Sequence, residues 1–326
     1  MKIFAYGLRE FDEKPYFDEF CEQYRMEYDY TTEYLTKENV FLCHGFDEIS
    51  VLPTILDKPM LDLLYQQGIR YIATRSIGTD HIDLSYCEQL GIGVCRAEYP
   101  SDCVADYTIM LILMCLRKTM FTLNCSKVQN YTLEGKTGIT LNDCTVGIIG
   151  TGKIGQAVIQ RLRGFGCKII GYDLYRNANV DYVSLEELYA QSDIISLHMP
   201  ATEQNYHLLN ADAFGKMKDG VVIINTARGS LIDTGAIIDA IEAKKVSAAG
   251  LDVVEEETGL YFMNKSTDVL NKRNMSILQA FQNVIVTPHI AFYTETTVKY
   301  MVYHSVKGVY DNINHTENPL IVLKGK

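Results

Sequence analysis

A chain of 326 residues is longer than one hydrophobic core usually organises, which points to two domains. Its 47% hydrophobic and 22% charged residues describe a globular protein, and a formal net charge of -11 argues against a nucleic-acid or anionic-membrane surface, though not against a local basic pocket. Nine cysteines with no C-x-x-C pair predict reduced thiols, and seven scattered histidines without H-x-x-x-H or H-E-x-x-H spacing give no metal site.

In chain order, MKIFAYGLREFDEK meets charge after a few apolar residues and is unlike a signal peptide. KIFAYG, EISVL and RYIAT are short β-branched and aromatic runs that predict strands. Residues 59–67 and 84–90 predict helices ending at Gly68 and Gly91, and this βαβα rhythm predicts a parallel sheet covered on both faces. Residues 101–128 predict one long helix with Ser101 as N-cap and apolar residues all round, as for a helix buried between layers or against a second subunit. Its most apolar run, IMLILMCL (109–116), is far short of the ~20 residues of a membrane span, so a cytoplasmic location is expected.

A second series starts at 145. TVGII, KIIGY, IISLH, VVIIN and SAAGLDV are nearly continuous apolar runs, as in parallel strands covered on both faces, with helices expected at 154–166, 184–190, 210–217 and 233–244. After VIVTPH (284–289) comes a helical pattern from about 294 to 312. The first domain has few strands for its size, so this last helix is expected to return to it.

The stretch VGIIGTGKIGQAV (146–158) contains both G-x-x-x-x-G-K and G-x-G-x-x-G. A P-loop needs Ser or Thr after its Lys to reach Mg²⁺, and Ile154 stands there; Gly147 also falls inside the strand. The dinucleotide reading accounts for more. Gly150 allows the tight turn, Gly152 lets the backbone approach a pyrophosphate at the helix N-terminus, and Gly155 lets helix and strand pack closely. KIIGYD then supplies Asp173 at the end of the next strand, where a carboxylate binds the ribose hydroxyls and repels a 2′-phosphate. NAD is the expected cofactor, with Arg176 the residue that would favour NADP.

Three further segments place reactive groups after strands: Arg228 in NTARGSLID, the acids of LDVVEEE, and His289 in TPHIAFYT. In an open α/β sheet these ends share one crevice. Together with RSIGTDHID (75–83), YPSDCVADYT (99–108), GTGKIG and HMP (198–200), they make the chain resemble the D-isomer-specific 2-hydroxyacid dehydrogenase family over nearly its whole length. It is most similar to the D-lactate dehydrogenase branch, including the vancomycin-resistance D-lactate dehydrogenases. The resemblance implies two Rossmann-like doubly wound α/β domains with the active site in their cleft: a flavodoxin-like substrate domain (1–99 plus 297–326) and an NAD-binding domain (100–296).

It also implies roles. Arg228, Glu257 and His289 match the family's catalytic Arg, Glu and His, with Glu255 and Glu256 the neighbouring acids that compete with Glu257 for its place. His is suited to protonate the alkoxide formed by hydride addition, Glu to orient and charge-support it, and Arg to hold the carboxylate and polarise the carbonyl. By the same resemblance Ser76, Ile77 and Gly78 hold the substrate carboxylate, while Tyr99, Phe292 and Leu52 line its pocket. Leu52 stands where strict lactate enzymes have tyrosine, which implies room for 2-oxobutyrate, branched 2-oxo acids or phenylpyruvate. For NAD the matches are Lys153, Ile154, Met199, Pro200, Asn205, Thr226, Ala227 and Asp252, the last accepting from the carboxamide. His198 is expected to border the cofactor; His44, His207, His304 and His315 are expected to be surface or packing residues.

The expected activity is NADH-dependent reduction of pyruvate or a larger 2-oxo acid to the D-2-hydroxy acid, as in D-lactate, D-2-hydroxyisocaproate or phenyllactate dehydrogenases, by a homodimer. A different class, the NAD-sensing corepressors of the same family, would keep the fingerprint and Asp173 without turnover. 3-Phosphoglycerate and formate dehydrogenases share the framework, but the short tail and A-F-Y-T after the histidine favour the lactate branch.

Overall fold

The computed structural model describes residues 2–255, 257 and 259–325. Along the chain run β1 (Lys2–Ala5), α1 (Lys14–Tyr24), β2 (Glu27–Tyr30), β3 (Glu48–Val51), α2 (Lys58–Gln67), β4 (Tyr71–Thr74), α3 (Leu84–Leu90) and β5 (Gly93–Arg96). Then come α4 (Asp102–Leu116), α5 (Thr119–Lys127), β6 (Thr145–Ile149), α6 (Lys153–Arg163), β7 (Lys168–Tyr172), β8 (Asp181–Tyr182), α7 (Leu185–Gln191) and β9 (Ile194–Leu197). The rest is α8 (Ala211–Lys216), β10 (Val221–Asn225), α9 (Thr234–Glu242), β11 (Val246–Leu251), α10 (Arg273–Ala280), β12 (Val284–Val286), α11 (Glu295–Ile313) and β13 (Ile321–Leu323). Two compact units result, Met1–Pro100 with Tyr293–Lys326, and Ser101–Phe292.

The first unit is a six-stranded sheet of order β13-β5-β4-β3-β1-β2, parallel except for β13. Its parallel part has the flavodoxin-like order 2-1-3-4-5. Alternation in β1 sends Ile3 and Ala5 to one face, against Phe17 and Phe20 of α1 and Val302 and Val306 of α11. Phe4 goes to the other face, with Leu61 and Leu64 of α2. Asp57 and Asp83 cap α2 and α3 through the N–H groups of Met60 and Tyr86, and Gly68 and Gly91 end these helices in left-handed conformation.

A buried ionic network crosses this unit. Arg75, fully buried, donates from Nε to Glu13 Oε1 (3.0 Å), from Nη1 to Ser50 Oγ (2.6 Å) and from Nη2 to the carbonyl of Tyr6 (2.7 Å). Glu48, at the start of β3, is buried with one oxygen accepting from Asn312 Nδ2 and the other without a hydrogen-bond partner. Burial raises its carboxyl to about 8. Because the folded value lies above the unfolded one, the carboxyl favours folding below about pH 4.5, and that contribution is lost as pH rises towards 8. The loss by pH 7 is about 3 kcal/mol. Glu48→Gln should therefore raise the melting temperature relative to wild type increasingly from pH 5 to pH 8. A difference that stays constant over that range, read by thermal unfolding, would show that Glu48 does not titrate with folding.

The second unit is a seven-stranded parallel sheet of order β12-β11-β10-β9-β6-β7-β8. One face carries Ile149, Ile195, Leu197 and Ile223 against α8 and α9; the other carries Val146, Ile148, Val222 and Ile224 against α4 and α6. The single helix expected over 101–128 is two helices, bent by 63° at Arg117 and Lys118, with Lys118 in left-handed conformation. Ser101 precedes α4 but makes no side-chain cap. The physical reason for the break is support: α4 buries eight residues, whereas α5 buries none. Among the described residues no single helix is long and apolar enough to cross a membrane, although the bent pair passes by length and composition.

Candidate active site

The fingerprint loop follows β6. Gly150 has φ +93° and a side chain there would come within 2.5 Å of the His198 carbonyl; at Gly155 it would come within 2.1 Å of the Gly150 carbonyl. Both glycines are thus required by the protein's own packing. Gly152 is different: it caps α6, has φ -67°, and a Cβ there would meet nothing within 4 Å. Neither backbone strain nor packing demands a glycine at this position. The demand fits something outside the chain that approaches the backbone, as a pyrophosphate does at the N-terminus of α6, where Lys153 and Ile154 are the first two residues.

Asp173 follows β7 and reaches back to this loop. Its Oδ2 accepts from the N–H (2.5 Å) and hydroxyl (3.2 Å) of Thr151, and its Oδ1 accepts from the Tyr175 N–H (2.9 Å). The carboxylate therefore lies at the phosphate loop, where an adenosine ribose would meet it. Arg176 lies over the Tyr182 ring, 5.6 Å from its centroid.

The remaining cofactor matches follow the next strands. His198, Met199 and Pro200 leave β9. His198 pairs its Nε2 with Ser196 Oγ (2.8 Å), its buried Nδ1 has no hydrogen-bond partner, and burial lowers it to about 3, so it stays neutral near pH 7. Asn205 closes its own turn, donating to the Pro200 carbonyl and accepting from the Thr202 N–H. After β10, Thr226 pairs with Thr108 of α4 (2.9 Å), and the Ala227 N–H is held by the Asn225 side chain (3.0 Å).

All three catalytic matches lie in this unit, and two of them, Glu257 and His289, meet there. Arg228 follows β10, with its carbonyl held by Asn225 Nδ2 and its Nη1 donating to the Ala227 carbonyl. Gly229 lies so close to Val254 that a Cβ would come within 2.1 Å of the Val254 carbonyl carbon, which sets the Arg228 turn against the segment carrying Glu257. Glu257 Oε2 accepts from the Val254 N–H (3.1 Å), and its Oε1 lies 2.6 Å from His289 Nδ1. Of the neighbouring acids, Glu255 instead contacts His207 Nε2 (2.6 Å) and Thr234, and Glu256 lies outside the described residues.

His289 has φ +53°, a conformation a side chain of this kind rarely adopts. Asp252 holds it there: its carbonyl accepts from the His289 N–H (2.7 Å), and its buried carboxylate accepts from the Thr287 hydroxyl and the N–H groups of Ile290 and Ala291. Asp252, matched to the nicotinamide carboxamide, thus also clamps the histidine turn. Burial raises its carboxyl despite these donors. Phe292 stands edge-on to His289 at 6.3 Å.

The other substrate matches lie in the first unit, after its parallel strands. Ser76 Oγ donates to the Gly78 carbonyl (2.7 Å), folding Ser76–Ile77–Gly78 into a turn after β4, and Tyr99 follows β5. Leu52, just after β3, is only 4% exposed and lies beside Gly7. His207, expected to be a surface or packing residue, is half-buried and pairs with Glu255. One aromatic residue near His289 had no place in the expectations. Phe262 lies 6.3 Å from both His289 and Phe292.

The chain is similar over most of its length to proteins already characterised. The family model for the D-isomer specific 2-hydroxyacid dehydrogenase, NAD binding domain, matches residues 109–291. An aromatic 2-oxoacid reductase of Clostridium sporogenes is 38% identical over 309 residues, covering 93% of each chain. A D-lactate dehydrogenase of Lactiplantibacillus plantarum is 40% identical over 317 residues, covering 94% of this chain and 95% of the other. The solved structure of a D-2-hydroxyisocaproate dehydrogenase superposes with a TM-score of 0.87 at 36% identity, covering 99% of both chains.

Proposed function

This chain belongs to the D-isomer-specific 2-hydroxyacid dehydrogenase family and is an NAD-dependent oxidoreductase, and we propose that Arg228, Glu257 and His289 carry its reduction of a 2-oxo acid to the D-2-hydroxy acid. The observation that carries this reading is the 2.6 Å contact between His289 Nδ1 and Glu257. With Nδ1–H donating to the carboxylate, Nε2 is left to give a proton to the substrate oxygen, or to take it in the reverse direction.

NAD, when bound, supplies or accepts the hydride. It would be held by Gly150, Gly152, Lys153, Ile154 and Gly155 at the pyrophosphate and by Asp173 at the ribose. Met199, Pro200, Asn205, Thr226, Ala227 and Asp252 would border its remaining length. The two donor prongs of Arg228 suit the substrate carboxylate and the carbonyl that gains charge during reduction. Ser76, Ile77 and Gly78 are assigned to the same carboxylate, and Tyr99, Phe292 and Leu52 to the substrate's side chain. The domain roles follow: residues 1–99 with 297–326 for substrate, and 100–296 for NAD.

Pyruvate is the leading substrate, given the D-lactate dehydrogenase relative, with larger 2-oxo acids the alternative favoured by Leu52 and by the aromatic 2-oxoacid reductase. NADH oxidation by the purified protein should therefore proceed with at least one of pyruvate, 2-oxobutyrate, 2-oxoisocaproate and phenylpyruvate, faster than with NADPH, and Leu52→Tyr should shift the ranking towards pyruvate. Tight NADH binding with no turnover of any of them would instead favour the sensing reading.

A homodimer is inferred from α5 and the residues after it, where Leu123, Val128, Tyr131, Leu133 and Ile139 are exposed. Sedimentation at the mass of a single chain would refute it. The free cysteines suit a reducing, cytoplasmic compartment, which cell fractionation would test.

A further inference from the structure

Phe262 combines three features that its own packing does not explain. Its backbone has φ +64°, in the left-handed region that disfavours every side chain. The residue is 53% exposed, so it gains little from burial in the protein core. And its ring centroid is 6.3 Å from both the His289 imidazole and the Phe292 ring, tilted to the first by 42° and nearly perpendicular to the second. Since Phe292 and His289 are themselves 6.3 Å apart, the three rings form a near-equilateral cluster around the proton-carrying side chain.

The local chain explains how the ring is held out. The N–H groups of Leu260 and Tyr261 both reach back to the Glu257 carbonyl, closing a turn directly after the acid that binds His289. Leu260 and Tyr261 pack against the core of the sheet, which leaves Phe262 as the next side chain to emerge. A strained backbone that presents a half-exposed aromatic ring at a reactive histidine is characteristic of a residue kept for a ligand.

We propose that Phe262, with Phe292, forms an apolar wall for the side chain of the 2-oxo acid and selects larger apolar substrates over pyruvate. This rests on the function proposed above and adds to it a specificity-determining residue that lies outside the segments that carry the resemblance. The chemistry follows from the ring faces. A branched or aromatic substituent buries area against them, whereas the methyl group of pyruvate offers little to bury.

The test is kinetic. Phe262→Gly relieves the positive φ, so it should fold at least as well as wild type, and Phe262→Leu keeps an apolar side chain. We expect kcat/KM for 2-oxoisocaproate and phenylpyruvate to fall about tenfold or more in Phe262→Gly, with pyruvate changed less than about threefold, and Phe262→Leu to recover part of the loss. KM for NADH should stay unchanged. An equal fall for all three acids, an unchanged ratio, or a change confined to KM for NADH would each overturn the assignment while leaving the dehydrogenase reading standing. A wild type that reduces none of the acids would overturn the function and this assignment together.

Discussion

Replacing His289 by asparagine should lower kcat by about 10²–10⁴-fold while leaving NADH affinity and the melting temperature nearly unchanged. Asparagine is the informative choice because the residue sits at φ +53°, a region that Asn tolerates better than most side chains. Alanine at the same position would confound a lost proton carrier with backbone strain. The residues proposed to hold NADH follow other strands, so cofactor binding is a separate readout. Glu257→Gln should cost less, about tenfold, since the amide oxygen can still accept from Nδ1–H but no longer supports a charged imidazole. Stopped-flow reduction with saturating NADH would measure both. An asparagine variant that keeps more than a tenth of wild-type kcat would mean that another group delivers the proton.

Much of the second unit was legible because its signals are local. A strand, a glycine-rich turn, a helix and an acid some twenty residues on can be read along the chain, and each lies where a parallel sheet needs it. The segments carrying Arg228 and His289 were legible for the same reason: each follows an apolar run that becomes β10 or β12. What escaped depended on tertiary support. The pattern in 101–128 is helical throughout, and only the end of the buried surface at Leu116 breaks it. In the first unit, β2 reads as alternating polar and aromatic residues, β5 as a short mixed run and β13 as only three apolar residues, so pairing rather than composition makes them strands. Phe262 was hidden because its place beside His289 is set by the turn closing on Glu257, a contact that no spacing rule announces.

The largest effect on stability should come from Glu13. Arg75 and Glu13 are both fully inaccessible to solvent, and burial pulls the Arg75 guanidinium below the ordinary arginine value, with the Glu13 charge opposing that shift. Glu13 also accepts from the Arg9 N–H (3.0 Å), and Ser50, the partner of Arg75 Nη1, pairs with Ser305 of α11 (2.7 Å). One carboxylate thus balances a charge that ties α1, β1, β3 and β4 together. Glu13→Gln keeps the size and a hydrogen-bonding oxygen but leaves Arg75 as an uncompensated buried cation, at a cost of about 3–5 kcal/mol. The melting transition should fall by on the order of 10 °C. Adding Arg75→Met removes the stranded charge, so the double variant should be more stable than Glu13→Gln alone, although it loses three further hydrogen bonds. Such a sign is hard to obtain from packing alone, where two core substitutions in contact ordinarily accumulate damage. The Arg75 side chain also anchors the residue that leads into Ser76–Ile77–Gly78, through its bonds to Ser50 Oγ and the Tyr6 carbonyl. In the folded double variant, KM for the 2-oxo acid should therefore rise more than KM for NADH. A double variant less stable than Glu13→Gln would show that the hydrogen bonds, not the charge balance, hold this part of the unit together.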